Sequence, residues 1–238
     1  MCATLNESTL YRTLASSSRI EILKLLQRGP LSVEEISQKL NLQAITIRHH
    51  LQALTESGIV EYHEERSGTA GRPRAYYSIV KTFPSTSFPK RLYQSLSESL
   101  ISGMIEEFGA DKTKIFLRKI GISSGEATIR ELESKHNIKS WSLDDYKRYV
   151  IEEFLEREGN EPEIIEITNN KIVYRLHNCL FRELSAKMPE MMCDVLHESF
   201  HEGVSKATGK DVKITRSTCM GHDDQYCEHV CVWGRQRR

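Results

Sequence analysis

Five of the six cysteines, Cys179, Cys193, Cys219, Cys227 and Cys231, fall in the C-terminal quarter of the chain, interleaved with His197, His201, His222 and His229. Thiolates and imidazoles are the donors of zinc and iron–sulfur sites, and a thiolate is also a nucleophile and a redox group. The spacing C-x13-C-x25-C-x7-C-x3-C contains no C-x2-C knuckle, so a metal site would have to be assembled from separated elements. If Tyr226 to Trp233 is a strand, Cys227, His229 and Cys231 share one face, with the two thiols roughly 13 Å apart at ~3.3 Å per residue. One zinc cannot take both, so one of them is structural or a separate thiol. On a helix from about Pro189 to Val204, Cys193, His197 and His201 recur every four residues on one face, and Cys193 with His197 could share an ion. The alternative for the histidines is a solvated helix stripe, and for each cysteine a small buried hydrophobe.

The elements that must position these groups can be read from periodicity. From Glu163 the apolar period is two: Glu163 to Thr168 and a run through Ile172, Tyr174 and Leu176 are joined by Asn169-Asn170, compatible with a tight hairpin. Strands near Val212 to Thr218 and Tyr226 to Trp233 complete an α+β unit. Upstream, Leu92, Leu96, Leu100 and Met104, then Tyr146, Val150 and Phe154, recur at four-residue intervals, which predicts helices whose stripes serve a core or a dimer interface. The Pro- and hydroxyl-rich stretch Lys81 to Pro89 reads as a linker.

The first eighty residues have a different logic. A helix is expected from Ser17 to Arg28, stopped by Gly29-Pro30. Ser32 and Glu35 form the S-x-x-E capping box, with Leu31 and Ile36 as a hydrophobic staple, which predicts a helix over Val33 to Leu40. Ile47, Leu51 and Leu54 mark the inner face of a third helix ending near Gly58. Strands at Ile59 to Glu65 and Ala75 to Val80 flank a Gly/Pro-rich tip. Three helices and such a hairpin describe a winged helix-turn-helix. Its second motif helix enters the major groove of duplex DNA, which makes Gln43, Thr46, Arg48 and His49 the base-reading candidates. Arg66, Arg72 and Arg74 of the wing suit phosphate or minor-groove contacts.

At 238 residues with zero formal net charge and 39% hydrophobic content, the chain is long enough for two packed units, and any DNA-binding surface must come from local charge. The expected fold is α+β: an N-terminal winged helix-turn-helix (residues 1–82), then a helical middle region and a C-terminal α+β Cys-rich domain (residues 90–238). The N-terminus lacks the pattern of a secretory signal, and no apolar run approaches the ~18 residues of a membrane span. A cytoplasmic protein without membrane contact is expected, and in a reducing compartment clustered cysteines are metal ligands or redox thiols more often than disulfides. No nucleophile elbow, phosphate loop or paired catalytic carboxylates are found, so no catalytic residues are assigned.

The segment Ala44-Ile45-Thr46-Ile47-Arg48-His49-His50-Leu51, with Gly58-Ile59-Val60 and the wing Gly71-Arg72-Pro73-Arg74-Ala75-Tyr76-Tyr77-Ser78, resembles ArsR-like winged-helix regulators, particularly the SufR-type iron–sulfur repressors. The resemblance places His50 at a position that packs or caps. Asn178-Cys179-Leu180-Phe181, Cys193 and the stretch Gly221 to Cys227 are similar to cysteine contexts of those repressors. The segment Ser217 to Glu228 is similar to the end of 4-vinyl reductase-type sensor domains, including those of archaeal redox regulators, and adds Cys219. These likenesses imply Cys179, Cys193, Cys219 and Cys227 as a ligand set for an iron–sulfur cluster, or alternatively zinc. They also imply a homodimeric transcriptional regulator of a double-stranded DNA operator, with the C-terminal region sensing redox state or metal availability. The alternatives are a regulator of the same build that binds a small apolar ligand, and, behind it, a thiol-dependent enzyme using Cys179 or Cys227.

Overall fold

A computed structural model of the chain describes residues 7–65, 74–80, 91–209 and 212–234. Two compact units form, Met1–Ser85 and Thr86–Arg238. The first comprises α1 (Glu7–Leu14), α2 (Ser17–Gln27), β1 (Leu31–Ser32), α3 (Val33–Leu40), α4 (Ala44–Glu56), β2 (Val60–Glu65) and β3 (Arg74–Ile79), with the sheet ordered β1-β3-β2 and antiparallel. The capping box at α3 closes reciprocally. Ser32 Oγ accepts the Glu35 N–H at 3.3 Å, and Glu35 Oε2 accepts the Ser32 N–H at 2.7 Å. Asn41 in the left-handed region at φ 52° ends α3, and Gly58 at φ 69° follows α4, the conformation that terminates a helix by bonding back to its last carbonyls. Ile22, Ile36, Ile47, Leu51 and Leu54 are fully buried and, with Leu10, Leu26 and Val33, make one core. Sequence periodicity did not show α1, whose eight residues give too few turns to establish a stripe, nor β1, which is two residues long and shares Ser32 with the cap.

The second unit comprises α5 (Tyr93–Phe108), α6 (Ala110–His136), α7 (Leu143–Asp145) running into a π-helical stretch Tyr146–Leu155, β4 (Pro162–Ile167), β5 (Lys171–Leu176), α8 (Arg182–Lys187), a second π-helical stretch Glu190–His197 running into α9 (Glu198–Ala207), β6 (Val212–Thr218), a 3-10 turn Met220–His222 and β7 (Cys227–Trp233). The antiparallel sheet is ordered β4-β5-β7-β6. Along β7, Cys227, His229, Cys231 and Trp233 are buried while the residues between them are not, as a strand with one core face requires. The backbones of α6 and α9 approach so closely that a Cβ on Gly125 would collide with the Phe200 carbonyl, and one on Gly203 with that of Ile122. Glycine at these points lets α9 sink between α6 and the sheet.

The two apolar stripes of the middle region are used differently. Tyr146 and Val150 are buried and Phe154 packs against the same core, whereas Leu96 and Leu100 on α5 are 56% and 58% exposed. On α5 the core contact is made by Ile101 and Ile105, one step round the helix from the leucine stripe. The expected single helix over Pro189 to Val204 is a π-helical stretch followed by α9. The wider π-helical winding re-aims Cys193 and His197 relative to α-helical spacing.

Candidate functional site

The loop after α3 places Gln43 at the N-cap of α4, and Gln43, Arg48 and His49 are exposed with Thr46 half-buried beside them. Ile47, Leu51 and Leu54 take the inner face, as their spacing predicts. Arg48 rests against Glu34 at 3.3 Å on the surface, a pairing worth little in water and easily exchanged for a phosphate or base edge. His50 is half-buried, its basicity lowered by burial, then by Arg19 and His49. Ile45 was not singled out from the sequence, yet it stands 67% exposed on the same helix, an apolar group suited to a thymine methyl. Arg74 begins β3 in the open, whereas Arg66 and Arg72 lie outside the described residues.

In the second unit, Cys179, Cys193, Cys219 and Cys227 line one cavity of about 60 Å3. They arrive from four places: the loop before α8, the π-helical stretch, the end of β6 and the start of β7. Gly221 completes the cradle, since a Cβ there would stand 2.5 Å from Cys193 Sγ. Cys227 Sγ accepts the Met220 N–H at 3.3 Å, and Cys179 Sγ lies 3.6 Å from Ser185 Oγ. Hydrogen bonds donated by the Cys193 and Cys227 thiols hold the Cys219 thiol far below its ordinary pKa, with the Arg216 guanidinium and the Gly221 N–H adding to the effect. The same bonds, then burial, raise Cys193 and Cys227 well above theirs. Arg216 is itself fixed by the Cys193 carbonyl at 3.1 Å and Asp194 at 2.8 Å. Four thiol sulfurs with backbone N–H donors and a neighbouring cation are a donor set that fits zinc or an iron–sulfur cluster.

Cys231 is elsewhere. It is fully buried between Ile172 and Ile214 in register on the neighbouring strands, and burial pushes its thiol up to about 12. Its separation from the other four follows from strand geometry, with His229 lying between it and Cys227. His229 faces His197 and His201, the rings lying 4.5 to 5.5 Å apart centre to centre. A second cavity of about 380 Å3 adjoins the first. Ile120, Phe154, Leu155, Leu196 and Phe200 line it, and Leu180, Phe181, Met192 and His197 line both.

Residues 16–62 match the family described as bacterial regulatory protein, arsR family. This segment is an arsR-family helix-turn-helix domain. It spans α2 through the beginning of β2 and so contains all four base-reading candidates on α4, which makes the N-terminal unit the DNA-binding part of a transcription regulator. No curated protein matches the chain. Among solved structures, the chain is similar to trafficking protein particle complex subunit 3 from Naegleria fowleri covalently bound to palmitic acid (14% identity, 62% of this chain, 96% of that chain, TM-score 0.46). It is also similar to the phenol-responsive sensory domain of the transcription activator PoxR (11% identity, 79% and 90%, TM-score 0.44). A third likeness is to Bacillus subtilis PadR in complex with operator DNA (20% identity, 60% and 91%, TM-score 0.25). Among the described residues, no helix is long and apolar enough to cross a membrane.

Beyond the arsR-family segment, sequence reasoning missed Arg216, Gly221 and His229 as parts of the C-terminal site. Arg216 sits three residues before Cys219 on an edge strand, and nothing in its spacing marks it. His229 was noted only as sharing a face with two cysteines.

Proposed function

We propose that this chain is a homodimeric transcriptional regulator in which an N-terminal winged helix-turn-helix domain (residues 1–82) reads a DNA operator and residues 90–238 dimerise and sense redox state or metal availability through Cys179, Cys193, Cys219 and Cys227. The observation that carries the reading is the convergence of these four cysteines, from four separate elements, on one small cavity. Because no two come from one knuckle, occupancy couples the loop before α8, the start of α9's π-helical lead-in and the ends of β6 and β7. Loss of occupancy frees them.

Operator contacts fall to Gln43, Thr46, Arg48 and His49, joined by Arg66, Arg72 and Arg74. The likeness to SufR-type repressors favours an iron–sulfur cluster and the donor set alone also suits zinc. When bound, such a group supplies a charge and a cross-link whose loss follows oxidation or metal depletion. The chain's own contribution is the prepared site. The low-pKa Cys219 offers a ready thiolate, Cys193 and Cys227 give up protons to complete the set, and Arg216 offsets the accumulating charge. Regulation then follows from linkage: whatever binds one conformation better shifts DNA affinity by the difference in binding free energy. Exposed Leu96 and Leu100 on α5 and Ile115 and Phe116 on α6 supply apolar surface for pairing two copies, as two half-sites of an operator require.

Anaerobically purified full-length protein is expected to show either broad visible absorption of an iron–sulfur cluster or about one equivalent of zinc on elemental analysis that is missing from Cys219→Ser. Protein containing neither, after expression with both metals supplied, defeats the metal reading and leaves the Cys219 thiolate as a metal-free switch. A second reading, small apolar ligand sensing, draws support from the 380 Å3 cavity beside the cysteines. A rise in thermal midpoint on adding a small aromatic compound to metal-free protein would favour it.

A further inference from the structure

His197 ends the π-helical stretch, His201 lies one turn further along α9, and His229 faces them from the middle of β7. One ring nitrogen from each can be chosen so that all three lie within 4.8 Å of one another. His229 is fully buried and His201 is 6% exposed. Nδ1 of His201 and both ring nitrogens of His229 have no hydrogen-bond partner. An unpaired buried polar atom costs about 1–3 kcal/mol, and an ion that takes one nitrogen from each ring relieves one of the two on His229.

We propose that His197, His201 and His229 form a second site, separate from the four-cysteine cavity, that binds a divalent first-row transition-metal ion through three neutral imidazoles. Imidazole nitrogens suit zinc, cobalt, nickel and iron(II), whereas magnesium and calcium prefer oxygen. An ion ~2.0–2.1 Å from each nitrogen sets tetrahedral neighbours about 3.3 Å apart, so the nitrogens close by no more than about 1.5 Å from their present spacing. Burial lowers the basicity of all three rings. Arg216 is the neighbouring cation, and Asp194 at 2.8 Å and Glu198 at 3.5 Å balance it. Tyr174 stacks on His229 with centroids 5.2 Å apart and holds that ring's plane. Three protein ligands leave a fourth position open. Because His197 also lines the 380 Å3 cavity, a water or a heteroatom of a small molecule has a route to it. The inference does not depend on a metal binding the cysteines.

The test is a cobalt(II) and zinc titration of metal-free, reduced, full-length protein beside its His229→Phe and His197→Gln variants. Phenylalanine fills the space of the buried ring without leaving an unpaired nitrogen, and His197 is only partly buried, so the second variant guards against a folding failure of the first. The expected result is that wild type binds one equivalent of cobalt without thiolate-to-metal charge-transfer absorption. In both variants this equivalent weakens at least tenfold, while any thiolate absorption from the cysteines is unchanged; loss of an outer partner alone already costs 10–100-fold. Zinc should also raise the thermal midpoint of wild type more than that of His229→Phe. Wild type whose bound cobalt is all thiolate-ligated, or variants that bind as many equivalents as wild type with equal affinity, overturns the site.

Discussion

The two units bury polar chemistry in opposite ways. The N-terminal core cluster is aliphatic, although Arg19 Nε, His50 Nδ1 and Thr55 Oγ1 are also buried beside it. Its paired polar groups sit at helix ends, as in the Ser32–Glu35 cap, and its chemistry is displayed outward on α4. The C-terminal unit instead encloses its reactive groups: Cys193, Cys219, Cys227, His201 and His229 are all buried and face cavities or one another. An outward-facing helix reads a large charged partner without reorganising, whereas enclosed thiols and imidazoles respond to something small enough to enter. Under the proposed function this contrast assigns reading to the first unit and sensing to the second.

Damage to one unit should leave the chemistry of the other intact. Leu51→Ala removes a fully buried side chain from the α4 inner face and is expected to cost about 3 kcal/mol. Duplex binding should be lost in a gel shift, while metal content of the C-terminal unit stays at the wild-type level. A smaller effect separates the fifth cysteine from the other four. Cys231→Ser places a hydroxyl among Ile172, Ile214 and Tyr174 and is expected to cost about 1–3 kcal/mol in chemical denaturation without changing bound metal. Cys219→Ser should do the reverse, sparing stability and abolishing metal binding at the cysteines, read as loss of iron–sulfur or thiolate-to-metal charge-transfer absorption. The smallest effect belongs to the α3 cap. Ser32→Ala is expected to cost about 1 kcal/mol. Bonds from Ser32 hold the Glu35 carboxylate below its ordinary pKa of 4.5, so its contribution is fully present above that value. It fades as pH falls through the lower folded-state value. Acid titration of the thermal midpoint should therefore show a shallower fall in Glu35→Gln than in wild type.

The same contrast governs what the sequence discloses. In the N-terminal unit the determinants are local. The capping box, the Ile47, Leu51 and Leu54 stripe and Gly58 act within a few residues of one another, and α2, α3, α4, β2 and β3 lie close to their expected places. In the C-terminal unit the strands follow from alternation, and β6 spans the expected residues Val212–Thr218, yet the site depends on register. Which side chain faces His229 across the sheet is decided by the β5–β7 and β6–β7 pairings, which bring Tyr174 and Arg216 opposite it. No spacing within one segment encodes that. The leucine stripe of α5 shows the same limit: periodicity reveals an apolar face but not whether the chain itself covers it.

Under the proposed function the cysteine cavity governs what α4 does on DNA. This control is tested most directly by measuring duplex affinity of full-length wild type and Cys219→Ser, each prepared reduced with metal and then oxidised or stripped, against operator fragments selected by the wild-type protein. Wild-type affinity is expected to change between the two states, by about fivefold or more for a coupling of ordinary size, and Cys219→Ser to be locked at one value. If both proteins bind with the same affinity in every state, the cysteines do not control DNA binding and the regulatory reading fails.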